Sequence, residues 1–242
     1  MKYMLIHTVE ESRLQNLPPR IEDDLRVWAD EMVGRGVELD GARLHSVSDA
    51  TTVRRAADGS AVVTDGPFAE TKEQVAGYDV IECPDLDAAI AVAAAHPTTQ
   101  VGAIEVRPFE GAGPDPQVPD AVPDDRRRYM MLVCAAMSGS PDSADTSTPD
   151  EDAEDEAVIE RWIADAGDRR LYGWQLQHPS QAVTVRRLDG RVMTTDGPFA
   201  ETKEQIAGFD VLECTDLDEA IQIAAGHPVA DGGVLDIRPL AV

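Results

Sequence analysis

Lysine is almost missing from this 242-residue chain, which has three: Lys2, Lys72 and Lys203. Lysine and arginine together number 21 against 46 aspartates and glutamates, a formal charge of −25. Phosphate backbones are held by clustered Lys and Arg, so nucleic acid is not an expected partner. The same shortage excludes an anionic membrane surface. No apolar run approaches the roughly 18 residues of a membrane span. The opening MKYMLIHTVEESR has too short an apolar part, and no small-residue cleavage site, for a signal peptide. Cysteine is scarce as well: Cys83, Cys134 and Cys214 make neither an even disulfide framework nor a C-x-x-C pair. These absences predict a soluble protein in a reducing cytoplasm. Aromatics are 5% and hydrophobic residues 43%, so the core must be built largely from Ala, Val, Leu and Ile. There is no glycine-rich phosphate loop, no G-x-S-x-G and no closely spaced histidine pair, so no cofactor and no metal is expected.

What the chain does have is a repeat. Thr64–Gln74 reads TDGPFAETKEQ, and Thr195–Gln205 reads the same eleven letters. From Thr64 to Pro97, 26 of 34 positions are identical at an offset of 131. Weaker likeness extends outward: Thr52-Val53-Arg54 answers Thr184-Val185-Arg186, Val101–Phe109 answers Gly232–Leu240, and Tyr3–Val9 answers Tyr129–Ala135. The expected organisation is therefore a first unit over 1–110, a Pro-rich acidic linker over 111–128 and a second unit over 129–242. A further polar stretch, about 138–156, reads as a flexible acidic loop inside the second unit. Residues 110–160 hold 14 acids and 3 arginines, so much of the negative charge is solvated linker and loop.

Within the first unit, Tyr3–Val9 is a short apolar run with the content of a buried strand. Ile21, Leu25, Trp28 and Met32 step by three and four, which predicts a helix over Arg20–Gly34. Val37–Leu44 and Thr51–Arg55 read as strands, and Asp58-Gly59 is a hairpin signal before Ala61–Thr64. Val75–Cys83 is a strand, Asp85 opens a helix that Pro97 stops, and Val101–Arg107 closes the unit. The order β-α-β, hairpin, β-α-β is ferredoxin-like, an α+β unit with one antiparallel sheet and both helices on one face. The other face must be covered. Two such units in one chain can pack sheet to sheet as a closed, barrel-like pseudo-dimer.

Several repeated residues are candidates for chemistry. Asp65 and Asp196 open the Asp-Gly-Pro-Phe turns; they either cap their own backbone or serve as acid/base groups. Glu70, Lys72 and Glu73 recur as Glu201, Lys203 and Glu204. Lysine kept at one motif position twice, in a chain that otherwise uses Arg, is either a structural ion pair with Glu70 or Glu73 or a contact to a ligand anion. Thr71-x-x-Gln74 and Thr202-x-x-Gln205 match a capping box at the start of a short helical turn. An inward Arg54 or Arg186 would partner Asp65 or a ligand carboxylate. His96 and His227, in matched His-Pro pairs at helix ends, read as cations capping a helix C-terminus. Cys83 and Cys214 read as small hydrophobes. Duplication alone predicts even identity, yet the first strands and helices have drifted while the eleven-letter block has not. That unevenness marks a constraint on the block.

At TDGPFAETKEQ, with its flanking Thr-Val-Arg, Ala-Gly-aromatic strand and closing Arg-Pro, the chain resembles the DGPF-type subgroup of the YCII-related family, as a tandem duplication covering about 200 residues. The resemblance implies a ferredoxin-like fold that pairs as a dimeric α+β barrel. YCII-type members include a lactone- or quinone-related dehydrochlorinase, and a His-Asp pair is proposed as their active site, with the histidine on the first helix. Arg20–Gly34 has no histidine, nor does its counterpart near Glu156–Ala166, so no histidine is carried over. DGPF-type proteins are often encoded beside extracytoplasmic-function sigma factors. Two functions stand. In the first, a small polar organic molecule is bound or transformed, with Asp65 and Asp196 as acid/base groups and Arg54, Glu70, Lys72, Arg186, Glu201 and Lys203 as ligand contacts. In the second, the chain is a non-catalytic regulatory partner of a sigma-factor-related protein. The expected state is a monomer with an internal pseudo-dimer, or a homodimer.

Overall fold

The protein's structure, a computed structural model, describes all residues except 15, 16, 113, 114, 120, 137–148 and 242, and side chains except those of 14 and 149–153 as well. The first unit comprises β1 (Lys2–Glu10), α1 (Glu11–Leu14), α2 (Ile21–Gly34), β2 (Glu38–Leu44), β3 (Thr51–Arg55), β4 (Ala61–Asp65), β5 (Glu73–Glu82), α3 (Leu86–Ala95) and β6 (Gly102–Pro108). The second comprises β7 (Arg127–Ala135), α4 (Pro149–Ala166), β8 (Arg170–Gln175), β9 (Val183–Leu188), β10 (Arg191–Asp196), β11 (Gln205–Cys214), α5 (Leu217–Gly226) and β12 (Val234–Ala241). Among the described residues no helix is long and apolar enough to cross a membrane.

Local chemistry accounts for these elements. In α2, Ile21, Trp28 and Met32 are buried while Glu22, Asp23 and Asp24 fill an exposed first turn, where carboxylates favour the helix dipole. Asp85 caps α3 by accepting from Ala88 N at 2.8 Å, and Asp216 caps α5 from Glu219 N at 2.9 Å. β1 and β7 are buried on both faces, which is why they read as unbroken apolar runs.

All strand pairs are antiparallel, and each unit has a four-stranded sheet, β6-β1-β5-β2 in one and β12-β7-β11-β8 in the other. The fold is thus mixed α+β with an antiparallel sheet. The hairpins do not stay with their own units. β3 pairs with β12 of the second unit (Val53 opposite Leu235), and β9 pairs with β6 of the first (Val185 opposite Ile104). β2 meets β12 at Leu44 opposite Leu240, and a bridge joins Phe109 to Leu176.

Alternation along β1 and β7 sorts the core into three layers. Met4 and Ile6 share one cluster with Met130, Leu132, Phe209 and Val211, so both units line it. Tyr3 and Leu5 point to the opposite side and pack with Trp28, Met32 and the second unit's Val183 and Val185. Tyr129 and Met131 pack with Trp162 and the first unit's Val53. Burial of each large apolar side chain stabilises by about 1.5–3 kcal/mol.

Two expectations need correction. Part of the acidic stretch 138–156 is helix, since α4 begins at Pro149. Its Asp and Glu residues suit a helix N-terminus as well as a loop. Residues 138–148 lie outside the described ones. Nor does Thr71 or Thr202 start a helical turn. Thr71 Oγ1 donates to Glu73 O, and Gln74 Nε2 donates to Ala69 O (3.1 Å) and Thr71 O (2.7 Å). Gln205 repeats this at 3.1 and 2.9 Å. The glutamine ties off a loop whose carbonyls would otherwise be unmet.

Candidate functional site

The repeated block forms contacts between the units. Gly66 and Gly197 take φ of +103° and +98°, where a side chain would be strained, and each turns the chain toward the other unit. Phe68 N then donates to Asp236 Oδ2 on β12 at 3.0 Å, and Phe199 N to Glu105 Oε2 on β6 at 3.0 Å. Glu105 is paired with Arg107, which donates to Ile206 O at 2.9 Å; Arg238 Nη1 donates to Val75 O at 2.7 Å. Arg186 grips Glu73 with two bonds of 2.5 and 2.8 Å, and Arg54 reaches Glu204 at 3.3 Å.

Arg54 therefore partners Glu204 and not Asp65. Lys72 pairs with Glu10 at 2.9 Å, not with Glu70 or Glu73, and its own side chain is 81% exposed. Glu70, Glu201 and Lys203 are exposed. Asp65 and Asp196 are exposed at the ends of β4 and β10. Asp65 faces a depression with Arg126 and Arg128, whereas Lys72 and Arg186 line a different one. The structure does not bring Asp65 and Lys72 into one pocket.

A separate pocket lies in the first unit, between the helix-facing side of the sheet and α2, with a volume of about 380 Å³. β1 contributes His7, β5 contributes Asp79, and the end of α3 contributes His96. His7 Nε2 lies 2.8 Å from Asp79 Oδ2, and both residues are buried. His96 Nε2 is 3.6 Å from the same oxygen, too long for a hydrogen bond. The His7 and His96 rings are 4.4 Å apart, and Trp28 meets His96 edge-on at 4.2 Å. Gly77, opposite His7, makes room for the imidazole, since a Cβ there would lie 3.1 Å from Nδ1.

Glu38 completes the pocket. Burial, then the charges of Asp79 and Asp40, push its carboxyl up to about 8, and its Oε2 has no hydrogen-bond partner. Burial, then His7, push His96 down to about 3, so this imidazole is neutral. That overturns the reading of His96 as a charged helix cap. His96 Nδ1 instead accepts from Thr98 N at 3.1 Å, and His227 Nδ1 from Val229 N at 3.1 Å. This bond also fixes the tautomer: with Nδ1 accepting, the proton sits on Nε2. By distance, His7, Asp79 and His96 could surround a metal, their donor atoms lying within 4.8 Å of one another. A ligating histidine must present a lone pair and donate through its other nitrogen, and His96 does the reverse.

The second unit has the same framework with different contents. Asp210 and His227 repeat Asp79 and His96, and Trp162 packs edge-on against His227 at 4.4 Å. At the His7 register stands Val133, and at the Glu38 register stands Arg170. Arg170 Nε donates to Asp210 Oδ1 at 2.6 Å, and its guanidinium lies 5.8 Å from the Trp162 ring centre. Burial pushes Asp210 up to about 6 against the pull of Arg170. Burial, then Arg170, push His227 down to about 4. The sequence did carry a signal for this site: an aspartate recurs inside the otherwise apolar strands AGYDV and AGFDV. The histidine was missed because it stands on the first strand, not on the first helix.

A family model described as the YCII-related domain matches residues 1–110 and again 131–241. An uncharacterized protein of Rhizobium meliloti (strain 1021) is 42% identical over 90 residues, which is 36% of this chain and 72% of that protein. Among solved structures, the chain is similar to the crystal structure of a candidate chlorite dismutase, over 100% of this chain and 94% of that one, with 8% identity and a TM-score of 0.37.

Proposed function

This chain belongs to the YCII-related family twice over, and from that premise we propose that its first unit binds a small polar organic molecule and transforms it by proton transfer. The observation that carries the reading is the 2.8 Å contact between His7 and Asp79 at the floor of a pocket. Asp79 accepts the Nε2 proton and leaves the Nδ1 lone pair as a base. Glu38, held protonated at neutral pH, supplies an acid or a hydrogen-bond donor on the same wall. Two titratable groups pushed apart in this way suit removal of a proton from one substrate atom while charge develops on another, as in enolisation or elimination.

In this reading, Arg54, Arg186, Glu73 and Glu204 hold the units together, while Asp65, Asp196, Glu70 and Glu201 serve the turn and its solvent face. The units form an internal pseudo-dimer over 1–110 and 129–242, closing their sheets into a barrel. The shared apolar layer and the exchanged hairpins support that arrangement. No contact favours the sigma-factor partner over the pocket.

The test is a small-molecule screen by thermal shift, with His7 imidazole resonances followed by NMR. Hits should move those resonances and be weakened tenfold or more in Asp79→Asn, which frees the His7 tautomer. Hits unaffected by Asp79→Asn and His7→Gln would overturn the assignment.

A further inference from the structure

The second unit carries its own cation in the place where the first unit has none. Arg170 Nε bonds Asp210 Oδ1 at 2.6 Å, and the guanidinium lies beside Trp162. Gly173 gives it room, since a Cβ there would lie 2.7 Å from Arg170 Nη2. In the first unit the corresponding Gly41 faces Asp79 Oδ1 at 2.5 Å and Glu38 Oε1 at 2.9 Å from its would-be Cβ. A carboxyl therefore stands where the guanidinium stands, and Asp79 has no guanidinium partner of its own. Asp79 uses Oδ2 for His7, and its Oδ1 has no hydrogen bond among the described residues. Glu38 Oε2 has none either. Among the described residues no cation lies over the indole of Trp28, in contrast to Trp162.

We propose that the first unit's pocket takes an organic cation, an amidinium or guanidinium on a small apolar body, with its N–H groups on Asp79 and Glu38 and its plane near Trp28. The arginine of the second unit is the built-in counterpart of that ligand. Planar N–H donors can bond Asp79 and the Glu38 carboxyl together, Glu38 giving up its proton as the cation enters, in a geometry that a compact ammonium does not match. Ile21, Leu25, Ala29 and Val9 provide apolar wall for the body.

This inference rests on the pocket being a ligand site, and the experiment separates the two. The full chain is titrated calorimetrically with benzamidine, benzamide and benzoate, with His7 NMR resonances as the locator. Benzamidine should bind once per chain, at least tenfold more tightly than benzamide, with benzoate not binding. Glu38→Gln and Asp79→Asn should each weaken it about tenfold or more, while Arg170→Gln in the other unit leaves it unchanged. If benzamide or benzoate moves the His7 resonances as strongly as benzamidine, the pocket stands and the charge assignment falls. If none of the three does, the cation is refuted; failure of the wider screen as well would remove the pocket reading itself.

Discussion

Beneath their helices the two units share an aspartate, a histidine and a tryptophan, and they differ where Val133 stands at the register of His7 and Arg170 at that of Glu38. One unit keeps two carboxyls, Asp79 on His7 and a protonated Glu38, in the lining of a cavity that Arg26 and Arg43 also line; the other closes the same place with an internal ion pair. The parts that touch across the units show the opposite trend. Glu105 with Phe199 mirrors Asp236 with Phe68, and Arg186 with Glu73 mirrors Arg54 with Glu204. Residues that each copy must present to the other have been kept, while the helix-covered pockets have been free to diverge.

The largest expected effect comes from breaking the mutual contact. Glu105→Ala leaves Arg107 buried without its partner and should cost about 3–5 kcal/mol in urea unfolding. The mirror change, Asp236→Ala, removes one buried hydrogen bond from Phe68 N and should cost about 1–3 kcal/mol, because Arg238 is not in direct contact with that carboxylate. Equal losses would show the two halves of the clasp to be equivalent after all.

Acidity sharpens the contrast between the pockets. Folded His96 and His227 take protons only near about 3 and 4, whereas the unfolded chain takes them near 6.5. The unfolded state therefore binds more protons between, and stability should fall as pH drops below 6.5. Glu38 acts in the other direction. Its folded carboxyl keeps a proton up to about 8 and its unfolded one loses it near 4.5, so stability should decline as pH rises through that window. Urea midpoints from pH 4 to 9 should show both limbs. Glu38→Gln should flatten the alkaline limb and steepen the acid one between 4.5 and 6.5; an unchanged alkaline limb would show that Glu38 titrates like a solvated carboxyl.

The smallest effect is expected at Lys72. Its ammonium meets Glu10 on the surface, where solvent screens the pair. Lys72→Met together with Lys203→Met should leave the thermal midpoint unchanged within error, and a clear drop would reveal a contribution the geometry does not suggest.

The repeat, the strand and helix order and the helix faces were legible because each follows from short-range pattern. Ile21, Trp28 and Met32 mark the buried face of α2 on spacing alone. The exchange of hairpins was not legible. Val53 can meet Leu235 or Ile104, two equivalent apolar positions on two copies of one strand, and nothing local distinguishes them. The eleven identical letters left structural pairing and ligand contact both open, because identity does not tell a contact between copies from a contact to a ligand. His7 was set aside for the opposite reason: it has no histidine counterpart in the second copy, where Val133 stands.

Each half lends the other an arm and borrows one in return. Neither could be inherited by itself without baring the edge its partner's hairpin covers, so the fused gene behaves as a single heritable unit. Such a fusion also frees its members from being identical, which two copies of one shorter chain could never be.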